Sequence, residues 1–573
     1  MLKLLKITEK VMDYKRYIAE KIKIEGVTSD ELLSFLEVPP SSDVGDYALP
    51  CFRLSKILKK PPVMIATDLK NSIETDDIIT EVNAINGYLN FKLNKLFFSE
   101  EILDKILSEG YSYGSSDIGA GKTICLDYSS INIAKPFHIG HLSTTVIGAA
   151  LYRIYKFLGY NAVGINHLGD YGTQFGKLIY AYKKWGDRSV IDKIGLKEIT
   201  RLYVKYHEQA ESDPSMDDKA REYFRLIETG DKECNELFEY FKRITLSEIG
   251  KIYDLLGVTF DSYAGESFYN DKMSAVVERL KNKGLLTESQ GAMIVDLSEY
   301  DLPPCIILRS DGASLYATRD LAAAYYRKNT YDFDKCLSVV AYQQDLHFKQ
   351  IFKVLELLGE PWAKDMVHVS YGMVSLEDGS MSTRKGHVVL LEDVLEKTME
   401  KALGIINEKN ADLENKEDVA KKIGVGAVIF GALSSSRIKD ITFSYDKVLS
   451  FEGETGPYVQ YTVARCNSVL KKGENICGDD KKVSEIFDQE YELIKQLGTF
   501  PDVVKAAAER YEPFYITRFA LDTAKLFNKF YFDCKIVSDD LPRSAFRLKL
   551  TKATKIALTS ALSLLGVSAP EKM

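Results

Sequence analysis

Two histidines three residues apart, His138 and His141 in the run HIGH, point to chemistry at a helix start. At that spacing both imidazoles share one face. Their N–H groups are suited to stabilising charge that builds on an α-phosphate during in-line attack. Backbone N–H groups and the helix dipole draw a phosphate to the same end, and Gly140 leaves room for a flat adenine. A four-residue run alone is equally a solvent-facing helix start. A second run, GSMSTRKG at Gly379–Gly386, sets small residues around Arg384 and Lys385. Standing alone it reads as a basic surface loop; paired with an upstream HIGH it reads as an arm for a leaving pyrophosphate. A third pair, Tyr316 and Asp320 in LYATRDLAAA, lies four apart and shares a face if the segment is helical. A buried aspartate accepts two parallel bonds from a guanidinium, which the point charge of a lysine cannot reproduce. The competing reading is a local pair with Arg319 or a helix-start carboxylate.

The elements that must position these residues follow from periodicity. TICLDY is a predicted strand, SSINIAKPFHIGH a polar loop broken by Pro136, and LSTTVIGAALYRIYKFLG a helix. Leu142, Val146, Ala150, Ile154 and Phe157 form one apolar stripe of that helix, which ends at Gly159. NAVGINHL is a second strand, so the unit is βαβ and the sheet parallel, of the α/β Rossmann type. Ligands of such sheets bind beyond the carboxyl ends of the strands, where IAKPFHIGH and GDYGTQFG fall. PCIILRS, CLSVVAY and MVHVSYG are further short strands.

The expected organisation has five parts. Residues 1–116 form a small N-terminal α+β domain, with a Pro-initiated helix in LKKPPVMIATDLKNSI and a half-buried strand in GYLNFKL. Residues 117–177 and 300–372 form the sheet domain, and 178–299 a charged helical insertion. Residues 373–450 hold the Gly/Ser loop and connecting helices, and 451–573 a helical bundle that starts near SFEGETGP.

A chain of 573 residues requires several domains, and 45% hydrophobic with 28% charged residues is ordinary for a globular cytosolic protein. No apolar run approaches the roughly 20 residues needed to span a bilayer, and the N-terminus lacks a signal-peptide core. A cytoplasmic location is expected. The cysteines stand singly, without a CxxC pair, so neither a disulfide framework nor zinc is expected. The net charge of −8 excludes a nonspecific nucleic-acid coat but not local RNA recognition.

With HIGH and the GSMSTRKG loop, the sequence resembles the class I aminoacyl-tRNA synthetases, whose signatures are HIGH and KMSKS. More closely, SSINIAKPFHIGHL, GDYGTQFGKLI, SDGASLYATRDLAAA, QQDLHFKQ, MSTRKG and the final LLGVSAPEKM are similar to the arginyl-tRNA synthetases, in family order to the last residue. That resemblance implies arginyl-adenylate formation from arginine and ATP with Mg2+. Transfer to the 2′-hydroxyl of the terminal adenosine of arginine tRNA follows. It implies a monomer, and bound tRNA as a requirement even for the first step.

The same resemblance implies site residues. Phe137, His138, Gly140, His141, Met381, Ser382 and Lys385 are expected at ATP. Asp127, Ser129, Asn132, His138, Tyr316, Asp320 and Gln344 are expected at arginine, with Tyr316 and Asp320 on the guanidinium and Asn132 and Gln344 on the α-amino and carboxylate groups. Asp127 stands where the family commonly has Glu. In the loop, Ser380 replaces the first lysine of KMSKS and Thr383 occupies its fourth position. In family members with that change a lysine just before HIGH takes over, here Lys135, and Lys385 is a second candidate. Lys135, His138, Gly140, His141, Ser382 and Lys385 are the catalytic set. Asp170, Tyr171, Gly172 and Gln174 shape the pocket wall or touch the ligand. Tyr458, Tyr461, Arg465, Tyr531 and Met573 are the tRNA candidates, against the alternative that aromatics at helical spacing are core. Two other readings remain: a class I enzyme for another amino acid, and an inactive relative that binds RNA.

Overall fold

The computed structural model describes residues 13–39, 43–309, 316–376, 389–476 and 483–573. Among them no helix is long and apolar enough to cross a membrane. The chain forms two compact units. One comprises residues up to Tyr113 with Val469–Thr499 and Leu526–Ala557; the other comprises Gly114–Ser468, Phe500–Lys525 and Leu558–Met573.

The first unit carries a three-stranded antiparallel sheet in the order Tyr47–Pro50, Tyr88–Leu93, Ile79–Ile85. The strand expected in GYLNFKL is its centre, and the Pro-initiated helix runs Pro62–Ser72. Tyr47–Pro50 is an edge strand, with Ala48 and Leu49 buried fully against that centre. In the same unit the fully buried Glu490 accepts from Arg547 at 2.7 Å and Arg543 at 3.0 Å. Two guanidiniums on one carboxylate compensate its desolvation.

The second unit is built on a four-stranded, all-parallel sheet. Its site-bearing elements are β1 (Thr123–Asp127), α1 (Leu142–Phe157), β2 (Asn161–Ile165), α2 (Thr173–Trp185), α3 (Lys232–Leu256), α4 (Tyr316–Tyr331), β3 (Lys335–Ser338), α5 (Asp345–Leu358) and β4 (Met366–His368). The strand order is β4-β3-β1-β2, so β1 is interior, with Asp127 opposite Ile165 on one side and Ser338 on the other. The predicted βαβ unit is therefore present. Its helix is buried almost all round, with thirteen of sixteen residues inside.

Close packing of α1 on the strand–loop junction depends on Gly148. A Cβ there would lie 2.2 Å from the Cβ of Tyr128, the residue that follows β1.

The segment 178–299, expected to be mostly helical, is helical to Asn282. Leu286–Ser289 and Ala292–Val295 then form a hairpin. Its two turn residues, Gln290 and Gly291, both have positive φ (50° and 79°), the backbone that a two-residue hairpin turn requires. Cys305–Leu308, read as a strand of the nucleotide sheet, pairs antiparallel with this hairpin instead. Val295, Cys305 and Ile307 join Leu321, Ala322 and Ala324 of α4 in one apolar cluster, so α4 has packing partners besides the parallel sheet.

Gly148→Ala tests the junction. Overpacking of a tight core costs about 1–3 kcal/mol, so the variant is expected to unfold earlier on heating and to lose soluble yield. A melting temperature within a degree of the parent would mean that α1 and Tyr128 separate freely.

Candidate active site

After β1 the backbone is held in an unfavourable conformation. Ser129, Ser130 and Ala134 have φ of 71°, 44° and 62°, uncommon for residues with a Cβ. Hydroxyls clamp it there: Thr144 Oγ1 accepts from the Ser129 N–H at 3.0 Å, and Ser129 Oγ lies 2.9 Å from Thr145 Oγ1 and 2.8 Å from the Tyr253 hydroxyl on α3. Thr245 Oγ1 accepts from the Ala134 N–H at 3.2 Å. Ser129 is buried, with its N–H and hydroxyl both taken up by this clamp.

The clamped loop delivers HIGH to the start of α1. The N–H of Gly140 donates to His138 Nδ1 at 3.1 Å, and the N–H of His138 donates to His141 Nδ1 at 3.3 Å. With Nδ1 accepting in both rings, each neutral imidazole carries its hydrogen on Nε2. The rings lie 4.0 Å apart, and Phe137 stacks on His141 at 5.1 Å. Burial, aided by the Lys135 charge, lowers His138 to about 4; burial with the charges of His138 and Lys135 lowers His141 to about 3. Two neutral N–H donors, and not two cations, stand here at physiological pH.

The chain that leaves the Gly/Ser loop is anchored to the same place. Ile139 N–H donates to the Val389 carbonyl at 3.0 Å, and Leu391 N–H to that of Phe137 at 3.0 Å. Ser380, Met381, Ser382, Thr383, Arg384 and Lys385 themselves lie outside the described residues.

A second group gathers around α4. Tyr316 and Asp320 share a helical face as expected; Tyr316 is exposed at the first turn and Asp320 is one-third exposed. Asp320 does not pair with Arg319, which turns to Glu266 at 3.4 Å and lies 4.3 Å over the Tyr171 ring. Instead Asp320 Oδ2 meets His347 Nε2 at 2.6 Å, and Oδ1 faces His167 Nε2 at 4.0 Å.

Asp127, placed at arginine by resemblance, spends its oxygens internally. It accepts from Arg327 of α4 at 2.7 Å and from Ser130 at 2.8 Å. Although burial works against it, the Arg327 and His167 charges keep its carboxyl below the usual range. Asn132 bridges backbone to Gly169, and Gln344 is exposed on the turn Tyr342–Gln344. Asp170 is buried and accepts from Lys242 at 2.7 Å and from Ser267 at 2.9 and 2.8 Å, so it braces the wall.

Four residues of this group carried no signal as site residues in the sequence: Glu266, His167, His347 and Arg327. Glu266 comes from the segment after α3, where nothing but the fold buries a carboxylate beside another acid. Burial raises Glu266 to about 7; Asp320 and Asp170 add to the shift, while Arg319 and Lys135 oppose it. Lys135 therefore acts electrostatically on both groups, the two imidazoles and the acidic slot.

The tRNA candidates separate. On Gly456–Lys472, Tyr461 is exposed with the Arg465 guanidinium 4.8 Å over its ring, and Tyr458 is half-buried on the same stripe. Met573 packs on the apolar cluster that includes Ala402, Ile406 and Ala420. In the first unit, Phe527 and Phe530 are fully buried, as helical spacing of aromatics commonly means, whereas Tyr531 remains at the surface.

Comparison with known proteins decides the family. Three family profiles match: tRNA synthetases class I (R), catalytic domain, over residues 102–445; DALR anticodon binding domain, over 459–573; and Arginyl tRNA synthetase N terminal domain, over 12–93. The chain belongs to the class I arginyl-tRNA synthetases. It is 53% identical to the arginine–tRNA ligase of Clostridium botulinum (strain Alaska E43 / Type E3) and 52% identical to that of Clostridioides difficile (strain 630). Each match covers 98% of this chain and 100% of the relative. The fold is similar to Thermus thermophilus arginyl-tRNA synthetase at a TM-score of 0.80 and 26% identity, covering 94% of this chain and 96% of that one.

In a synthetase of this class the Glu266 carboxyl gives a signed pH dependence. A guanidinium cation prefers the ionised acid, so affinity for arginine rises as pH rises through about 7. The KM for arginine is expected to fall by up to about tenfold between pH 6 and 8, and Glu266→Gln to flatten that dependence. A parent and a variant with equal slopes would remove Glu266 from the slot.

Proposed function

We propose that this chain activates L-arginine with ATP and transfers it to the 2′-hydroxyl of the terminal adenosine of arginine tRNA, with the two groups just described as its reaction centre. The observation that supports this most is their joint position: paired neutral imidazoles at the start of α1, and a carboxylate slot on α4, at the carboxyl ends of one parallel sheet.

In this reading the arginine guanidinium enters between Asp320 and Glu266, with Tyr316 at the rim. Asn132 and Gln344 take the α-amino and carboxylate groups. The arginine carboxylate attacks the α-phosphate of ATP and pyrophosphate leaves. His138 and His141 offer Nε2–H donors to the charge that builds on the α-phosphate, and fixed donors need no reorganisation as that charge grows. Being neutral, they stabilise it by hydrogen bonds and add no cation that would hold the ground-state triphosphate equally tightly. Lys135 supplies the positive charge on the pyrophosphate side, with Ser382 and Lys385 as loop partners. No side-chain nucleophile is needed; orientation and charge stabilisation account for the rate.

Mg2+ bound with the nucleotide would offset the negative charge of its phosphates. Among the described residues no cluster of three or more His, Cys, Asp or Glu forms a cage for it. Asp127 and Ser129 act through the backbone they hold. Tyr458, Tyr461, Arg465, Tyr531 and Met573 are proposed at the tRNA, where exposed rings stack on unpaired bases. The reading extends to a cytoplasmic monomer.

Charging of total tRNA with arginine, lysine and glutamine tests the substrate. Arginine alone is expected to be accepted, and lysine or glutamine accepted equally well would overturn the assignment. For Lys135, pyrophosphate exchange is measured with arginine and cognate tRNA present. Lys135→Ala is expected to slow adenylate formation by about 10²-fold, the cost of one fixed electrostatic group. An unchanged rate would pass the role to the loop.

A further inference from the structure

The carboxylate of Asp320 is presented by more than its own helix. His347 is the third residue of α5, and its Nε2 lies 2.6 Å from Asp320 Oδ2 across the two helices. A carboxylate accepts and does not donate in that contact, so Nε2 carries the hydrogen. On the far side His167 faces Oδ1, and Arg327 fixes its orientation by donating to Nδ1 at 3.4 Å. That leaves the His167 hydrogen on Nε2, turned toward Asp320. His167 stacks on Tyr269 at 5.5 Å and lies beneath the slot, whereas His347 is one-quarter exposed at its edge.

A carboxylate has about four acceptor positions. With one imidazole bonded to one oxygen and another facing the second, the two remaining positions match the two parallel N–H groups of a guanidinium fork. Arg319, the neighbour able to draw Asp320 aside, is held by Glu266. A one-third exposed aspartate without His347 would sample several rotamers, and binding would have to freeze them.

We propose that His347 is a positioning residue for arginine selection, holding Asp320 in the rotamer that accepts the guanidinium fork. The inference rests on the assignment of Asp320 to the guanidinium. Because His347 orients a group that meets the substrate side chain far from the reacting phosphate, its loss weakens ground and transition states alike. The effect therefore falls on KM and not on kcat.

The test is steady-state charging by the full chain, with KM measured for arginine and for ATP, on His347→Ala, His347→Gln and Asp320→Asn. His347→Ala is expected to raise the KM for arginine roughly three- to tenfold, the worth of one hydrogen bond. Its kcat and its KM for ATP should stay within about twofold of the parent. His347→Gln, whose amide N–H reaches a similar position, is expected to restore the KM. If Asp320→Asn raises the KM for arginine while His347→Ala leaves it unchanged, this inference fails and the Asp320 assignment stands. If Asp320→Asn leaves it unchanged, both fail. A rise in both KM values together, or no rescue by Gln, would mark His347 as structural and overturn the proposal. Should His347→Ala fold poorly, His347→Phe fills the ring volume without donating and replaces it.

Discussion

The buried pair between Asp127 and Arg327 is the constraint on which the candidate site depends. Asp127 ends the interior strand β1, Arg327 lies on α4, and their 2.7 Å contact is removed from water at both partners. Such a pair costs desolvation on both sides and gains little net stability, yet removing one partner strands the other at a cost of about 3–5 kcal/mol. Its effect here is geometric. Arg327 and Asp320 are seven residues apart, hence on one face of α4, so fixing Arg327 on β1 also fixes where Asp320 emerges. Through His167 the same guanidinium reaches the second oxygen of Asp320.

The two halves of the site are tuned by opposite means. At the start of α1, burial empties the histidines of charge and a backbone clamp fixes which nitrogen donates. Around α4, burial and the neighbouring acids Asp320 and Asp170 raise Glu266 to about 7 against the opposing charges of Arg319 and Lys135. One half is a neutral donor array for an anion. The other is an acidic slot for a forked cation. Lys135 stands electrostatically within reach of both, which suits a residue that must balance a departing polyanion beside an acidic pocket.

What the sequence made legible follows the range of each signal. The βαβ unit and the shared face of Tyr316 and Asp320 are local periodicities, and both are present in the fold, whereas α1 is buried on nearly every side and its apolar stripe marks no single buried face. Gln290–Gly291 was a local signal as well, but it sits inside a charged helical run that hid it. The pairing of Cys305–Leu308 with that hairpin is long-range, and no short apolar run announces its sheet. Among site residues, HIGH stood out because helix start and histidine spacing coincide. Glu266 and His347 did not, since a lone acid or imidazole acquires meaning only from what the fold sets beside it. Asp127 shows the converse: the resemblance implies a place at arginine, while the engagement of its carboxylate with Arg327, 200 residues away in the chain, is visible only in the fold. The roles of the Gly/Ser loop stay with the resemblance, because those residues lie outside the described chain.

A crystal structure of the protein with L-arginine bound tests the central claim most directly. The guanidinium is expected within hydrogen-bonding distance of both Asp320 oxygens, with Glu266 alongside and the arginine carboxylate directed toward His138 and His141. A guanidinium bound elsewhere, with Asp320 turned to solvent away from the imidazoles, would contradict it.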